Sequence, residues 1–237
     1  MKNLAAMLVM GLIGLSLSAQ KVIEKNINYN NQVIDLDVKF ASKIEVKTWD
    51  KSTVYFKATL HTKEGKYLNL YKLNIEEGQG YIGITSEPES VFKAFHDEWE
   101  KNRPAGEHSY YHTSNMYTFN YVLHVPKNAD FTVSSINGNL NAEVIEGDFT
   151  ADLINGNIDI AQYKGNMDLR TINGEIDLVM KDSRLTAETI HGLIYADEKL
   201  DLKVIDRHVG QKAEGSFDNA THRLKLNTIN GNMYLRL

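Results

Sequence analysis

Ser135-Ile136-Asn137-Gly138-Asn139-Leu140, Leu153-Ile154-Asn155-Gly156-Asn157-Ile158 and Thr171-Ile172-Asn173-Gly174-Glu175-Ile176 are three versions of one hexapeptide, each eighteen residues from the next. Thr189-Ile190-His191-Gly192-Leu193-Ile194 continues the series, and Thr228-Ile229-Asn230-Gly231-Asn232-Met233 repeats it once more. Halfway between the first copies lie weaker versions, Val144-Ile145-Glu146-Gly147-Asp148-Phe149 and Gln162-Tyr163-Lys164-Gly165-Asn166-Met167. Glycine therefore stands at 138, 147, 156, 165 and 174, Ser183 substitutes once, and glycine returns at 192. The period is nine and the pairs make eighteen, which is the mark of a repeat architecture.

Counted from each glycine, positions −2 and +2 are apolar in nearly every unit: Ile136 and Leu140, Ile145 and Phe149, Ile154 and Ile158, Ile172 and Ile176. Position +4 is Ala142, Ala151, Ile160, Leu169 or Leu178. All three positions are expected to face inward. A glycine in every unit, with β-branched residues beside it, excludes helix. Two β-architectures remain. Asn-Gly is the favoured two-residue hairpin turn, so a meander of hairpins would account for the alternation. A solenoid, with Asn-Gly as a corner, also gives a reason for identity at eighteen residues, because identical side chains would stack on successive coils. The expected fold is all-β: a short single-stranded β-solenoid (β-helix) of about 18 residues per coil, after a β-rich N-terminal region with one short helical insert.

In such a stack Asn137, Asn155 and Asn173 form an amide ladder that His191 continues. Glu146, Lys164 and Asp182 form a separate corner column. Asp159 and Asp177 also stack, but the calcium-binding nonapeptide is much richer in glycine and aspartate than this repeat. Beyond Gly192 the rhythm is interrupted, for Gly231 lies 39 residues on. Gly210 keeps the phase, which places an inserted loop in Gln211 to Thr221, where Gly215-Ser216 and Asp218-Asn219 have turn character. Leu237 stands in strand pattern without a polar cap, so the terminal edge is expected to be covered by that loop or by a second subunit.

From Val22 to Val125 short runs alternate apolar and polar residues, as in Lys43-Ile44-Glu45-Val46 and Thr53-Val54-Tyr55-Phe56-Lys57-Ala58-Thr59-Leu60. That pattern predicts five to seven strands in an antiparallel sheet. Ser86-Glu87-Pro88-Glu89 reads as a capping box leading into Val91, Phe92, Phe95 and Trp99, a helical stripe that Asn102-Arg103-Pro104 stops. The rest of the insert 86–115 reads as loop. His96, His108 and His112, with Asp97, Glu98 and Glu107, raise a metal site, yet their spacing does not converge three or four ligands. Tyr110, Tyr111, Tyr117 and Tyr121, with Trp99, could make an aromatic platform for a sugar or peptide; tyrosines in the core with a wet hydroxyl account for them better. The strand ending at Pro126 marks a boundary, so the expected organisation is 1–19 leader, 20–126 β-rich region and 127–237 repeat region.

Met1-Lys2-Asn3, an apolar stretch from Leu4 to Leu17, and Ser18-Ala19-Gln20 describe a secretory signal peptide cut after Ala19 or Ser18. No cysteine is present, so neither a lipid-anchored cysteine nor disulfides are expected. Removing Lys2 takes the formal charge from −5 to −6. A mildly acidic chain with no basic run argues against nucleic acid and against docking on anionic lipid. No second stretch approaches the length of a membrane span.

Leader, Val46-Lys47-Thr48-Trp49-Asp50, a strand ending in Val125-Pro126-Lys127, and repeated Thr-Ile-Asn-Gly-x-Ile together give a resemblance. The chain resembles the bacterial "putative adhesin" family of β-strand-repeat domains of unknown function. The similarity is strongest from Tyr117 to Leu178 and from Leu224 to Leu237, and the leader looks like one from the Bacteroidetes. The resemblance implies an exported, periplasmic or secreted cell-surface β-helical protein. The family has no agreed catalytic residues, so none is carried over, and the insert 86–115 departs from its plainer members.

The expected function is a non-enzymatic adhesion or scaffolding module of the envelope whose partner is an envelope protein or a glycan. No catalytic, cofactor-binding or metal-binding residue is expected. Two alternatives stay open. One is an accessory of envelope-stress signalling that acts through the insert. The other is a polysaccharide-acting enzyme, for which Asp159, Asp168, Arg170 and Asp177 are the candidates.

Overall fold

The computed structural model describes residues 20–103, 111, 113 and 115–237. The leader reading for 1–19 lies outside them, as do Glu107, His108, Tyr110 and His112. Among the described residues the protein is all-β, a mixed sheet of nineteen strands with a single α-helix.

The first seven strands are β1 (Gln20–Asn28), β2 (Val33–Asp37), β3 (Phe40–Trp49), β4 (Thr53–Thr62), β5 (Lys72–Glu77), β6 (Tyr81–Glu87) and β7 (Tyr117–Pro126), with α1 (Glu89–Asn102) between the last two. Their pairing is not purely antiparallel as the alternation suggests. β4 runs antiparallel to β1 and β7, and β5 to β6, but β2 is parallel to β6 and β3 to β7. Alternation reports that one side of a strand is buried and is silent about the direction of its neighbour. The helix starts and stops where the stripe predicts, although not by a capping box. Ser86 is buried within β6, and Pro88 takes the N-cap position without a side-chain bond. Val91 and Phe95 are buried, and the Phe92 ring packs on Phe40 and Tyr117 at 4.9 Å each.

The repeat supplies β8 (Ala129–Ala142), β9 (Ile145–Asn155), β10 (Ile158–Ile160), β11 (Tyr163–Lys164), β12 (Met167–Asn173), β13 (Ile176–Val179), β14 (Ser183–His191) and β15 (Ile194–Ala196). β16 (Leu202–Asp206), β17 (Gln211–Ser216), β18 (His222–Asn230) and β19 (Met233–Arg236) follow. Through β13 the eighteen-residue register is realised as parallel ladders: Phe131 pairs with Phe149 and Phe149 with Met167, Leu140 with Ile158 and Ile158 with Ile176. Consecutive units are therefore not antiparallel hairpins. The same ladders run back across Pro126, since β2 and β3 pair in parallel with β8, Ile34 against Phe131 and Ile44 against Leu140.

Beyond β13 the spatial order departs from the chain order. β18 lies between β12 and β14, with Leu224 opposite both Met167 and Leu185. β19 lies between β13 and β15, with Met233 opposite both Ile176 and Ile194. The strand that precedes Leu237 is thus paired on both sides within the chain. The edge that does need covering belongs to β14, and β17 covers it antiparallel, followed by β16. Gln211–Ser216 is accordingly a strand and not a loop. Gly210 is no corner of the repeat but the left-handed turn residue (φ 74°) between β16 and β17. At the opposite end β4 and β1 close β7 in the same antiparallel manner, and β1 carries Lys21, Glu24 and Lys25 on the outermost strand, where charge discourages further pairing.

The core is one apolar cluster that runs through all layers. Positions +2 and +4 face inward as expected: Leu140, Phe149, Ile158, Ile176, Ala151, Ile160, Leu169 and Leu178 are all buried, each contributing about 1.5–3 kcal/mol where the side chain is large. Position −2 splits. Ile145 and Tyr163, at the weaker corners, are buried, whereas Ile154, Ile172, Ile190 and Ile229 at the Asn-Gly corners point outward, 39–45% exposed. The inward place there belongs to position −3, where Leu153 and Thr171 continue the alternation of Ala151 and Leu169, and at the threonines a hydrogen bond is added. Thr171 donates to Gly156 O at 2.8 Å, Thr228 to Gly174 O at 3.0 Å and Thr189 to Gly231 O at 3.0 Å. Each buried hydroxyl satisfies a corner carbonyl in the neighbouring layer, a bond that isoleucine cannot make.

Candidate functional site

Outward-facing positions stack at fixed register, so the surface is organised as columns. At the Asn-Gly corner Asn155 donates to Asn137 Oδ1 at 3.0 Å, Asn173 to Asn155 Oδ1 at 2.8 Å and Asn230 to Asn173 Oδ1 at 2.7 Å. The expected ladder is present, with Asn230 standing between Asn173 and His191. A parallel column uses backbone donors: Asn157 N–H donates to Asn139 Oδ1 and Glu175 N–H to Asn157 Oδ1, both at 2.9 Å. Glu146 and Lys164 are register partners. Asp182 is not a register partner of Lys164, although Lys181 N–H beside it donates to Tyr163 Oη at 2.9 Å.

The enzyme candidates are dispersed. Asp168 is held by Arg170 through a two-pronged contact at 2.9 and 2.6 Å, and Lys225 approaches it at 3.5 Å. Across the Asn173-Gly174 corner, Asp177 is bonded by Arg236 at 2.7 Å. Asp159 is the register partner of Asp177, as expected. Asp168 and Asp177 are thus each neutralised by an arginine and lie on different sides of a corner. In the insert, Asp97 is engaged by Lys93 and Glu98 by Lys66, both at 2.7 Å. Among the described residues no group of three or more His, Asp or Glu is arranged to hold a metal ion.

The tyrosines divide as well. Tyr121 is buried and shares a hydroxyl contact of 3.0 Å with buried Tyr71; burial pushes the Tyr71 phenol up to about 12 and raises that of Tyr121 too. Tyr117 packs on Phe92 and Phe119. Tyr111 rests against Trp99 and His96 at 5.5 and 5.1 Å. Sequence reasoning missed one part-exposed aromatic group. Trp49, Tyr55 and His124 converge from β3, β4 and β7, with ring centroids 5.0 Å apart for Trp49–His124, 5.4 Å for Tyr55–His124 and 6.1 Å for Trp49–Tyr55. Each sits at a polar-face position of its strand, and only the pairing Tyr55–His124–Lys47 brings them together.

Beside this group an open cleft of about 420 Å³ runs across β7, β3, β8 and β10, lined by Lys43, Glu45, Lys47, His124, Asn141 and Asp159. Four of its charges form pairs, Lys43 with Glu45 at 2.5 Å and Lys47 with Glu143 at 3.8 Å, and Asp159 adds a further carboxylate. Burial, reinforced by Lys47 and Lys51, holds the His124 imidazole below its ordinary value, so it is uncharged at neutral pH. A second cleft, of about 290 Å³, borders the exposed isoleucines and is walled by Asp152, Arg170 and Glu188.

No family model and no curated protein matches the chain. Among solved structures, a "putative cell adhesion protein" from Clostridium sporogenes superposes with a TM-score of 0.55 at 11% identity, covering 92% of this chain and 99% of that one. Its likeness is one of fold. A "putative adhesin" from Bacteroides fragilis aligns over 91% of this chain and 97% of its own at 8% identity, with a TM-score of 0.34, and one from Parabacteroides merdae over 74% and 69% at 13% identity, with a TM-score of 0.28. Scores that low carry no argument. No helix among the described residues is long and apolar enough to cross a membrane.

Proposed function

We propose that the chain is a non-enzymatic adhesion or scaffolding module of the bacterial cell envelope, exported by a leader at 1–19 and of the "putative adhesin" β-strand-repeat type. In this reading the parallel ladders wind as a short single-stranded β-solenoid of eighteen residues per coil. Residues 20–126 close one end and carry the helical insert, and 127–237 carry the repeat. The observation that supports the reading best is the unbroken outward column Glu45–Asn141–Asp159–Asp177–Tyr234–Tyr195, which crosses six layers in register. Side chains held at strand spacing on a rigid face cost little entropy when they engage an extended ligand. The fold shared with the Clostridium sporogenes protein agrees with it.

The test is attachment. Purified chain, immobilised, should retain bacterial envelope fragments, and a triple variant Asn141→Lys, Asp159→Lys, Asp177→Lys with an unchanged circular dichroism spectrum should lose most of that retention. Retention by the native chain no greater than by an albumin-coated surface would sink the reading.

A further inference from the structure

We propose that the cleft between β7 and β10, with the Trp49–Tyr55–His124 group at its rim, is a binding site for an uncharged polysaccharide; this rests on the adhesion reading above and names its ligand class.

Four features point to a neutral glycan. The rim offers an aromatic face whose orientation is fixed before binding: Trp49 Nε1–H donates to Thr53 O at 2.8 Å, and the ring is wedged against His124. Exposed Lys51 places its ammonium over the ring of part-exposed Trp49 at 4.5 Å, a flexible side chain that a ligand would displace. The C–H face of a pyranose ring suits such a surface, because it is the apolar side of an otherwise hydroxylated molecule.

The floor of the cleft is polar and close to balanced in charge. Lys43 with Glu45 and Lys47 with Glu143 leave ammonium protons and carboxylate oxygens facing outward, His124 is neutral, and Asp159 leaves one negative charge in excess. Asn141 and Asp159 add an amide and a carboxylate in register beside Glu45. Such a set donates to and accepts from hydroxyl groups, and it gives a polyanion no attraction.

Peptides are less suited. β3 is paired on both sides by β7 and β8, and β10 on both sides by β8 and β13, so no strand edge is available for an added strand. The shape also fits. Crossing four neighbouring strands at about 4.8 Å each gives a run of about 14 Å, room for a few linked sugar rings lying across the layers.

Affinity electrophoresis of the mature chain through gels containing a neutral glucan (laminarin, a soluble cellulose ether or starch), a mannan, or acidic hyaluronate tests this directly. The expected result is retardation by at least one neutral polysaccharide and none by hyaluronate, weakened about tenfold by Trp49→Ala. Asp159→Asn and Glu45→Gln, which keep shape at exposed positions, should weaken it as well and decide the matter if Trp49→Ala does not fold. Absence of retardation in every neutral gel, or retardation unchanged in all three variants, overturns the site. The attachment assay run alongside separates the two readings. If envelope fragments are retained while no neutral polysaccharide retards the chain, the glycan site is wrong and adhesion stands; if neither occurs, both fall.

Discussion

The side-chain amide of Asn230 donates to Asn173 Oδ1 at 2.7 Å across 57 residues of sequence. Asn173 in turn donates to Asn155, and Asn155 to Asn137, so the four amides point the same way and each polarises the next. The ladder passes without a step from the eighteen-residue repeat into the inserted layer of β18.

Removing the middle rung is therefore expected to cost more than removing an end. Asn173→Ala loses one bond given and one received, and should lower stability by about 1–2 kcal/mol, against about 0.5–1 kcal/mol for Asn137→Ala, which loses one received. Asn173→Asp should cost less than the alanine, because a carboxylate still accepts from Asn230 and loses only the bond to Asn155 Oδ1. Urea unfolding midpoints of the three variants check the order.

Ile172 and Ile176 stand four residues apart in one unit, the first 39% exposed and the second fully buried. Ile172→Thr should change stability by no more than about 0.5 kcal/mol. Ile176→Thr places a hydroxyl without a partner in the core and should cost about 2–4 kcal/mol. Equal effects would contradict the outward placement of the Asn-Gly isoleucines.

The period, the amide ladder and the inward positions +2 and +4 were legible because each follows from spacing alone. The placement of Ile154 and Ile172 was not. Hydrophobicity favours isoleucine inside, but the alternation carried from Ala151 to Leu153 and from Leu169 to Thr171 turns the next residue outward, and between +4 of one unit and −2 of the next the parity changes. The order of layers was hidden for a related reason. Thr228-Ile229-Asn230-Gly231-Asn232-Met233 presents the same side chains as its sister units, so it fits between Asn173 and His191 as well as beyond them. Trp49, Tyr55 and His124 come from three strands whose adjacency depends on pairings, parallel and antiparallel, that alternation cannot reveal.

Close stacking at the corners makes a sharp prediction at Gly231. A methyl group there would overlap the carbonyl of Gly174 in the adjacent layer, which is backbone and cannot swing aside. Gly231→Ala should cost more than about 3 kcal/mol or prevent folding, whereas Gly80→Ala, where nothing lies within reach, should be nearly silent. Expression level and thermal midpoint of the two variants check it.

His124 makes stability depend on pH with a defined sign. Burial first, then Lys47 and Lys51, hold its folded value below the ordinary 6.5, so the unfolded chain takes up the proton earlier as pH falls. The stabilisation is fully present above 6.5 and is lost as pH drops through the window between 6.5 and the lower folded value. Urea midpoints measured at pH values on either side of that window should fall less for His124→Gln than for the native chain.

The position of β18 and β19 also has a consequence in time. A ribosome delivers β14 and β15 before the pair that must lie beneath them. A zipper that adds each rung to the last cannot build this molecule, because the slot between β12 and β14 has to be kept vacant until later residues arrive, and the contacts that fill it span 39 and 57 positions. Such long closures are slow. With β14 already covered by β17 and the inner slot taken by β18, the parallel register of the repeat ends at β14 and is not carried on in chain order.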